Sequence, residues 1–310
     1  ENVTGAGANI QVNPITTTTY KLTFVTDGNQ CISDLSDSAT LVVNEIPQLT
    51  FTSPSETCDG DLIQLKFDFS AGAAPWTLDY STNGVSTIIP ISNSIDSIAI
   101  SPSSQTIYTI NSITDNNNCI NNISQTITIN TNPVPEIVLS GGDSICADGS
   151  TAEVIFTTSS GTPPYDLNYS AGLIANSTSN IGTIYILSTN QAGIYTIQDL
   201  TDSKGCKAKS ITGSAYIHVN PLPDSEISLY PQPADITNPL IHFFDASTGH
   251  VSGEWSFGDG ETMNSNLGEL THIYRDTGTY QVTLEIESDF GCTDISEEIV
   301  TISPVFDIYV

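Results

Sequence analysis

The side chains in this 310-residue chain that could do covalent, acid–base or metal chemistry are six cysteines, four histidines and 35 carboxylates. The cysteines carry the clearest spacing. Cys58 and Cys119 lie 61 residues apart, and Cys146 and Cys206 lie 60 apart. Cys58 and Cys146 each stand ahead of an Asp-Gly step, whereas Cys119 and Cys206 each close a polar turn. Equivalent pairs at equal spacing predict disulfides Cys58–Cys119 and Cys146–Cys206, and hence an oxidising compartment. A loop of that size contributes roughly 4 kcal/mol in the chain-entropy picture, a large share of the about 5–15 kcal/mol that holds a domain folded. On this pairing Cys31 needs a partner upstream of Glu1, and Cys292 is either free or bridged outside the segment. Zinc is disfavoured, because no Cys-x-x-Cys or Cys-x-x-His cluster occurs.

The other reactive groups form no recognisable machinery. There is no Gly-rich phosphate loop, no Gly-x-Ser-x-Gly elbow and no His-Glu-x-x-His. The acidic pairs Asp59/Asp61, Glu285/Glu287 and Glu297/Glu298 read as solvated strand faces. With 35 carboxylates, any glycosidase-like pair would be an arbitrary choice. His218, His242 and His250 are scattered, His272 reads as a structural histidine, and Asp259 reads as a turn-stabilising carboxylate. No catalytic residue, cofactor site or metal site is assigned, and calcium at the acidic joints is the one cation left open. Six Lys and Arg against 35 Asp and Glu give a net charge of −29, which argues against nucleic acid and anionic membrane surfaces. No apolar run is long enough for a membrane span. No signal peptide opens the sequence, and Glu1 reads as an engineered start or an interior cut.

The elements that hold these residues repeat. A tyrosine is followed by an acidic turn and a cysteine at Tyr20…Asp27…Cys31, Tyr108…Asp115…Cys119, Tyr195…Asp202…Cys206 and Tyr280…Asp289…Cys292. The tyrosines are spaced by 88, 87 and 85 residues, the signature of an array. Each copy reads as the last hairpin of a small β-domain. The expected strands are Leu62–Phe69, Trp76–Tyr80, Ile95–Ile100, Ile107–Ile113 and Ile123–Ile129. Their counterparts are Ala152–Thr157, Tyr165–Tyr169, Thr183–Leu187, Ile194–Asp199 and Ile211–Val219. Pro75-Trp76 and Pro164-Tyr165 fall at matching places, as an aromatic facing an inter-sheet disulfide would in an immunoglobulin-like sandwich, and core packing is the expected role of these aromatics. Proline joints at Ile46-Pro47, Asn132-Pro133-Val134-Pro135, Asn220-Pro221-Leu222-Pro223 and Ser303-Pro304 predict restricted crossings and an extended rod. The fold class is therefore all-β, tandem immunoglobulin-like sandwiches. Residues 1–46 are the C-terminal part of one module, 47–134 and 135–222 are whole modules, 223–304 is a fourth, and 305–310 begins a C-terminal segment.

Residues 223–303 carry Trp255-Ser256-Phe257-Gly258-Asp259-Gly260, then His272-Ile273-Tyr274 and Gly278-Thr279-Tyr280-Gln281-Val282. This resembles the PKD (polycystic kidney disease) domain, with its W-x-F-G-D-G hairpin and later H-x-Y…G-x-Y-x-V strand. The resemblance implies a seven-stranded sandwich with an interaction or spacer role. On it, Trp255, Phe257, Gly258, Asp259, Gly260, His272, Tyr274, Gly278 and Tyr280 are structural. The two modules before it resemble immunoglobulin-like repeats of large surface adhesins from gliding and related Gram-negative bacteria. Module two departs from that pattern at Ala73-Ala74-Pro75-Trp76 and Asn116-Asn117-Asn118-Cys119. The tail from Ser303 to Val310 is similar to the lead-in of a gliding-motility C-terminal domain, a type 9 secretion sorting signal. Asp37-Ser38-Ala39, Asp96-Ser97-Ile98 and Asp143-Ser144-Ile145 resemble the O-glycosylation sites of such bacteria.

These readings make the chain a non-catalytic adhesive stalk of a secreted or cell-surface protein, outside the outer membrane. The stalk spaces a binding or sorting domain, with neighbouring modules and the type 9 machinery as partners. The alternative is an accessory stalk of a secreted polysaccharide- or protein-degrading enzyme. A glycan-binding module with exposed aromatics is a third.

Overall fold

A computed structural model of the chain describes residues 5, 7, 9–264 and 268–305. Among the described residues every regular element is a strand, with no helix. The chain divides into two compact units, Glu1–Val134 with Lys204–Cys206, and Pro135–Ser203 with Lys207–Val310.

In the first unit, a three-stranded sheet (Ile95–Ile100, Ile63–Ala71, Gln48–Thr52) and a five-stranded sheet (Glu56–Cys58, Ile120–Asn132, Thr106–Thr114, Trp76–Thr82, Val85–Ile91) enclose one core. The period-2 pattern decides what goes inside. Leu65, Phe67 and Phe69 are buried while Lys66 and Asp68 between them are exposed. Trp76 and Leu78 do the same from the facing sheet, and Trp76 stacks on Phe69 at 4.8 Å between ring centroids. Ahead of this sandwich lie two small ladders. Thr18–Lys21 pairs with Ser38–Leu41, and Phe24–Thr26 pairs with Ile32–Asp34, and Leu22, Phe24 and Ile32 are exposed.

The second unit holds two sandwiches. One joins a four-stranded sheet (Ile184–Thr189, Ala152–Thr158, Glu136–Gly141, Ser210–Gly213) to a five-stranded one (Ser144–Cys146, Ala215–Asn220, Gly193–Asp202, Tyr165–Ala171, Ile174–Ile181). The other joins Ile227–Tyr230, Leu240–Asp245 and Glu269–Ile273 to Ala234–Asp235, Thr293–Ser303, Gly278–Glu287, Ser252–Ser256 and Thr262–Asn264. Their cores centre on Phe156, Tyr165, Leu167 and Tyr195, and on Phe243, Trp255, Phe257 and Leu284. The single strand expected over Ile211–Val219 is broken. Gly213 sits at φ +84°, and a Cβ there would lie 2.0 Å from the Leu139 carbonyl oxygen. Ser210–Gly213 therefore runs parallel to Glu136–Leu139 in one sheet, while Ala215–Ile217 pairs with Gly193–Tyr195 in the other.

In each sandwich the first strand also changes sheet. After Gln48–Thr52, the short strand Glu56–Cys58 runs parallel to Asn130–Asn132 at the end of the long last strand. Ser144–Cys146 lies against His218–Asn220 in the same way, and Ala234–Asp235 against Ile302–Ser303. This places Cys58, Cys146 and Asp235 at one structural position.

The disulfides correct the expected pairing. Cys58 is bonded to Cys206 and Cys146 to Cys292, each with a Cα–Cα distance of 5.6 Å, while Cys31 and Cys119 are free thiols. Neither Cys58–Cys119 nor Cys146–Cys206 forms. Cys58 lies opposite Asn132 at the end of Ile120–Asn132, and Cys119 immediately precedes that strand's first residue. Thirteen extended residues span about 40 Å, far beyond the roughly 7 Å that a disulfide tolerates between Cα atoms. Cys146 lies opposite Asn220, beyond the Ile217 that pairs with Gly193 at the start of Gly193–Asp202, whereas Cys206 follows the other end of that strand. Consequently neither bridge joins the two sheets of one sandwich across the buried aromatics.

Candidate functional site

Two constellations gather the residues with chemical potential: the cysteine hairpins, and the turn that follows Trp255.

The hairpins are built by their turn residues. Asp27 Oδ1 accepts hydrogen bonds from the backbone N–H of Asn29 and Cys31, both at 2.9 Å. Asp115 Oδ1 does the same for Asn117 (2.9 Å) and Cys119 (2.8 Å), and its Oδ2 accepts from Ala73 N at 3.0 Å. The bond from Ala73 N–H, with those from the turn, holds the Asp115 carboxyl below its ordinary range against its desolvation. Asp202 accepts from Thr162 N at 2.9 Å. In the fourth hairpin the equivalent residue is Ser288, four before Cys292, and not Asp289. Ser288 Oγ accepts from Cys292 N at 3.2 Å, and Ser288 N donates to Cys292 O at 2.9 Å. The chain needs a side-chain acceptor at that position, and serine supplies it.

Two of the tyrosines that open these hairpins, Tyr195 and Tyr280, are braces. Tyr195 Oη donates to Gln191 O at 2.9 Å and Tyr280 Oη donates to Asp276 O at 2.9 Å, each four residues upstream. This is the geometry of a tyrosine corner. Beside the Cys58–Cys206 bridge, Lys204 Nζ lies 3.1 Å from Glu56 Oε2. The Asn132 amide and then Lys204 lower the Glu56 pKa. The pair is half-exposed, so its energetic weight is small.

The second constellation is packed through its length. Trp255, Phe257 and Tyr274 are fully buried. The His272 ring lies flat on Phe257, with centroids 4.1 Å apart and 3° between planes, and its edge meets Tyr274. His272 Nε2 is 2.7 Å from Asp259 Oδ2, and Asp259 Oδ1 accepts from Glu261 N at 3.0 Å, closing the turn. Burial works against the Asp259 carboxylate, but the bonds from His272 and the Glu261 N–H outweigh it and bring the pKa below its usual value. Tyr274 Oη donates to the Phe257 carbonyl at 3.0 Å. Burial, reinforced by Asp259 and Tyr280, pushes its phenol well above the ordinary range. Gly258 is at φ +81°, and a Cβ there would sit 2.5 Å from Gln281 O. Gly260 is also left-handed at φ +99°, and Gly278 begins the strand that carries Tyr280.

A histidine and a carboxylate in contact form half of a charge-relay arrangement. Here His272 is held against Asp259, Glu261 and the rings of Phe257 and Tyr274, so the pair acts as a strut between the turn and the strand Glu269–Ile273. The other histidines sit apart, His218 by Tyr216, His242 by Glu269 and His250 by Asp245. An open groove of about 350 Å³ lined by Glu254, Asn264, Glu285 and Glu287 crosses the outer face of one sheet. Among the described residues no group of three or more His, Cys, Asp or Glu is placed to hold a metal.

The fold and these corners define an all-β protein of immunoglobulin-like sandwiches with two disulfides. Within it the PKD domain family matches residues 239–303, the stretch that holds the Trp255 turn and His272. Among solved structures, the chain is similar to the PKD1 domain of the Vibrio cholerae metalloprotease PrtV. That match has 25% identity and a TM-score of 0.23, covering 26% of this chain and 96% of that one. The PKD1 domain of Vibrio anguillarum Epp matches at 22% identity, covering 27% and 96%, with a TM-score of 0.24. The mouse nectin-like molecule 4 ectodomain matches at 12% identity over 84% of this chain and 100% of that one, with a TM-score of 0.35. No curated protein matches the chain. Domains of these folds are commonly non-catalytic structural modules.

Proposed function

We propose that the chain is a non-catalytic stalk of a secreted or surface-exposed bacterial protein, spacing a binding or sorting domain from the outer membrane. In the fuller form of the reading, it belongs to an adhesin of the gliding-motility type exported by type 9 secretion. Its partners are then neighbouring modules of the same longer chain and, through a C-terminal domain, the secretion machinery. The residues 306–310 on which the sorting resemblance partly rests lie outside the described residues.

The observation that carries the proposal is how the distinctive side chains are used. Trp76, Tyr165, Trp255, Phe257 and Tyr274 are buried, and the Asp259–His272 pair and the hairpin acceptors hold turns. Burial of these aromatics also removes them as a sugar-stacking platform. Two disulfides suit an oxidising exterior, and a net charge of −29 keeps such a chain soluble and self-repelling.

The test is a length-matched replacement in the parent protein. An unrelated sandwich array exchanged for residues 47–304 retains surface display and adhesion, while a one-domain replacement loses adhesion. Loss with the length-matched array would overturn the spacer reading. Product release from polysaccharide or protein substrates by the purified chain would overturn the non-catalytic one.

A further inference from the structure

The two bridges overlap along the sequence. The Cys58–Cys206 loop spans 148 residues and the Cys146–Cys292 loop 146, and each bridge begins or ends inside the other's loop. Their covalent graph is two nodes, one at each bridge, joined by three chains in parallel. These are the 88 residues from Cys58 to Cys146, the 60 from Cys146 to Cys206, and the 86 from Cys206 to Cys292.

We propose that this interlock makes the stretch from Cys58 to Cys292 a tension-limiting link, a function distinct from spacing. A force that unfolds the sandwiches draws the two nodes apart only until the shortest chain is taut. At the roughly 3.4 Å per residue of an extended backbone, the 60-residue path allows about 200 Å. Without the bridges the same end points are 234 residues apart (292 minus 58), or about 800 Å. Load then passes through the central segment, and the two longer chains stay slack and free to refold. Two separate bridges, one inside each sandwich, would shorten the chain independently and would not share load in this way. The value of such a link to a cell rests on the spacer reading, but the link itself does not.

Single-molecule stretching of the 310-residue chain by its ends tests the link, in a background with Cys31→Ser and Cys119→Ser to prevent exchange. Removing one bridge with Cys58→Ser/Cys206→Ser moves the shortest path from 60 to 88 residues, a gain of about 95 Å. Removing the other with Cys146→Ser/Cys292→Ser moves it to 86, a gain of about 90 Å. Removing both releases about 590 Å, over three times the two single gains together. A gain near 200 Å from each variant with no further gain when both are combined, as a lone Cys146–Cys206 bridge would give, or no gain from either variant, would overturn the proposal. Reducing the stretched oxidised chain is an independent measurement that needs no folded variant. The first cleavage gives a step of about 90 Å and the second about 500 Å, whereas two equal steps would again refute the interlock. If the lengths match but the length-matched replacement in the parent fails, the spacer reading falls and the link stands.

Discussion

Cys58 faces Asn132 across a short parallel ladder, at the opposite end of the strand from Cys119, and the two thiols of one sandwich are thereby kept apart. Cleavage on the carboxyl side of acidic residues suits a chain with 35 of them. Under non-reducing conditions it is expected to give linked peptides containing Cys58 with Cys206 and Cys146 with Cys292. Cys31 and Cys119 are expected to take up an alkylating reagent before reduction. A peptide joining Cys58 to Cys119 would reinstate a pairing within the sandwich. Each native bridge closes a loop of nearly 150 residues, which the chain-entropy picture values at about 5 kcal/mol as an upper figure. Reduction is therefore expected to lower the melting temperature markedly.

Gly258 approaches the backbone of Gln281 so closely that a methyl group would collide with its carbonyl, in a left-handed conformation that also disfavours alanine. Gly258→Ala is expected to destabilise the sandwich of residues 227–303 by about 1–3 kcal/mol, read from denaturant unfolding. Gly260→Ala is left-handed too, but no atom lies within 4 Å of its would-be Cβ. It is expected to cost less, which separates collision from conformation.

The Asp259 carboxylate is favoured in the folded state by His272 and the Glu261 N–H, so its pKa is depressed. Its contribution is fully present above the unfolded pKa of about 4 and is lost as pH falls through the lower folded value. Stability of residues 227–303 is thus expected to decline on acidification below about pH 4. Asp259→Asn is expected to flatten that part of the profile, and Asp259→Ala to cost about 2 kcal/mol at neutral pH. An unchanged acid limb in Asp259→Asn, followed by thermal melts from pH 2 to 7, would assign the decline to other carboxylates.

What the sequence disclosed follows from how local each signal is. Ile95–Ile100 stands where alternation puts it, and Leu62–Phe69 and Trp76–Tyr80 are displaced or lengthened by only a few residues. The strand Val85–Ile91 was not anticipated, because Pro90 breaks its pattern. It is tolerated on an edge strand, where that missing N–H need not bond. The Asn83-Gly84 turn before it, with both residues at positive φ, was a readable hairpin signal. Glu56–Cys58 and Ser144–Cys146 were missed for another reason. Three residues pairing in parallel with a strand some 75 positions later leave no local periodicity. Cysteine pairing failed on the same ground, since equal spacing along the chain carries no information about which end of a sandwich each thiol occupies. Asp289 fits the repeat by residue type, but the invariant is the count of four back from the cysteine, which falls on Ser288.

That count has a counterpart in the tyrosines. Tyr195 and Tyr280 each donate to a carbonyl four residues earlier, so the ring fills the core edge while the hydroxyl fixes the bend through which the chain enters the strand. The two contributions can be separated. Tyr195→Phe keeps the ring and loses one hydrogen bond, for about 1 kcal/mol. Tyr195→Ala also opens a cavity in a site only 1% exposed, for about 3–5 kcal/mol. Tyr280 is half-buried and its hydroxyl bond is exposed, so Tyr280→Phe is expected to cost less than Tyr195→Phe. Equal losses for both phenylalanine variants in urea unfolding would mean that the bend is set by its backbone alone. The tyrosine would then recur for its ring and not for its hydroxyl.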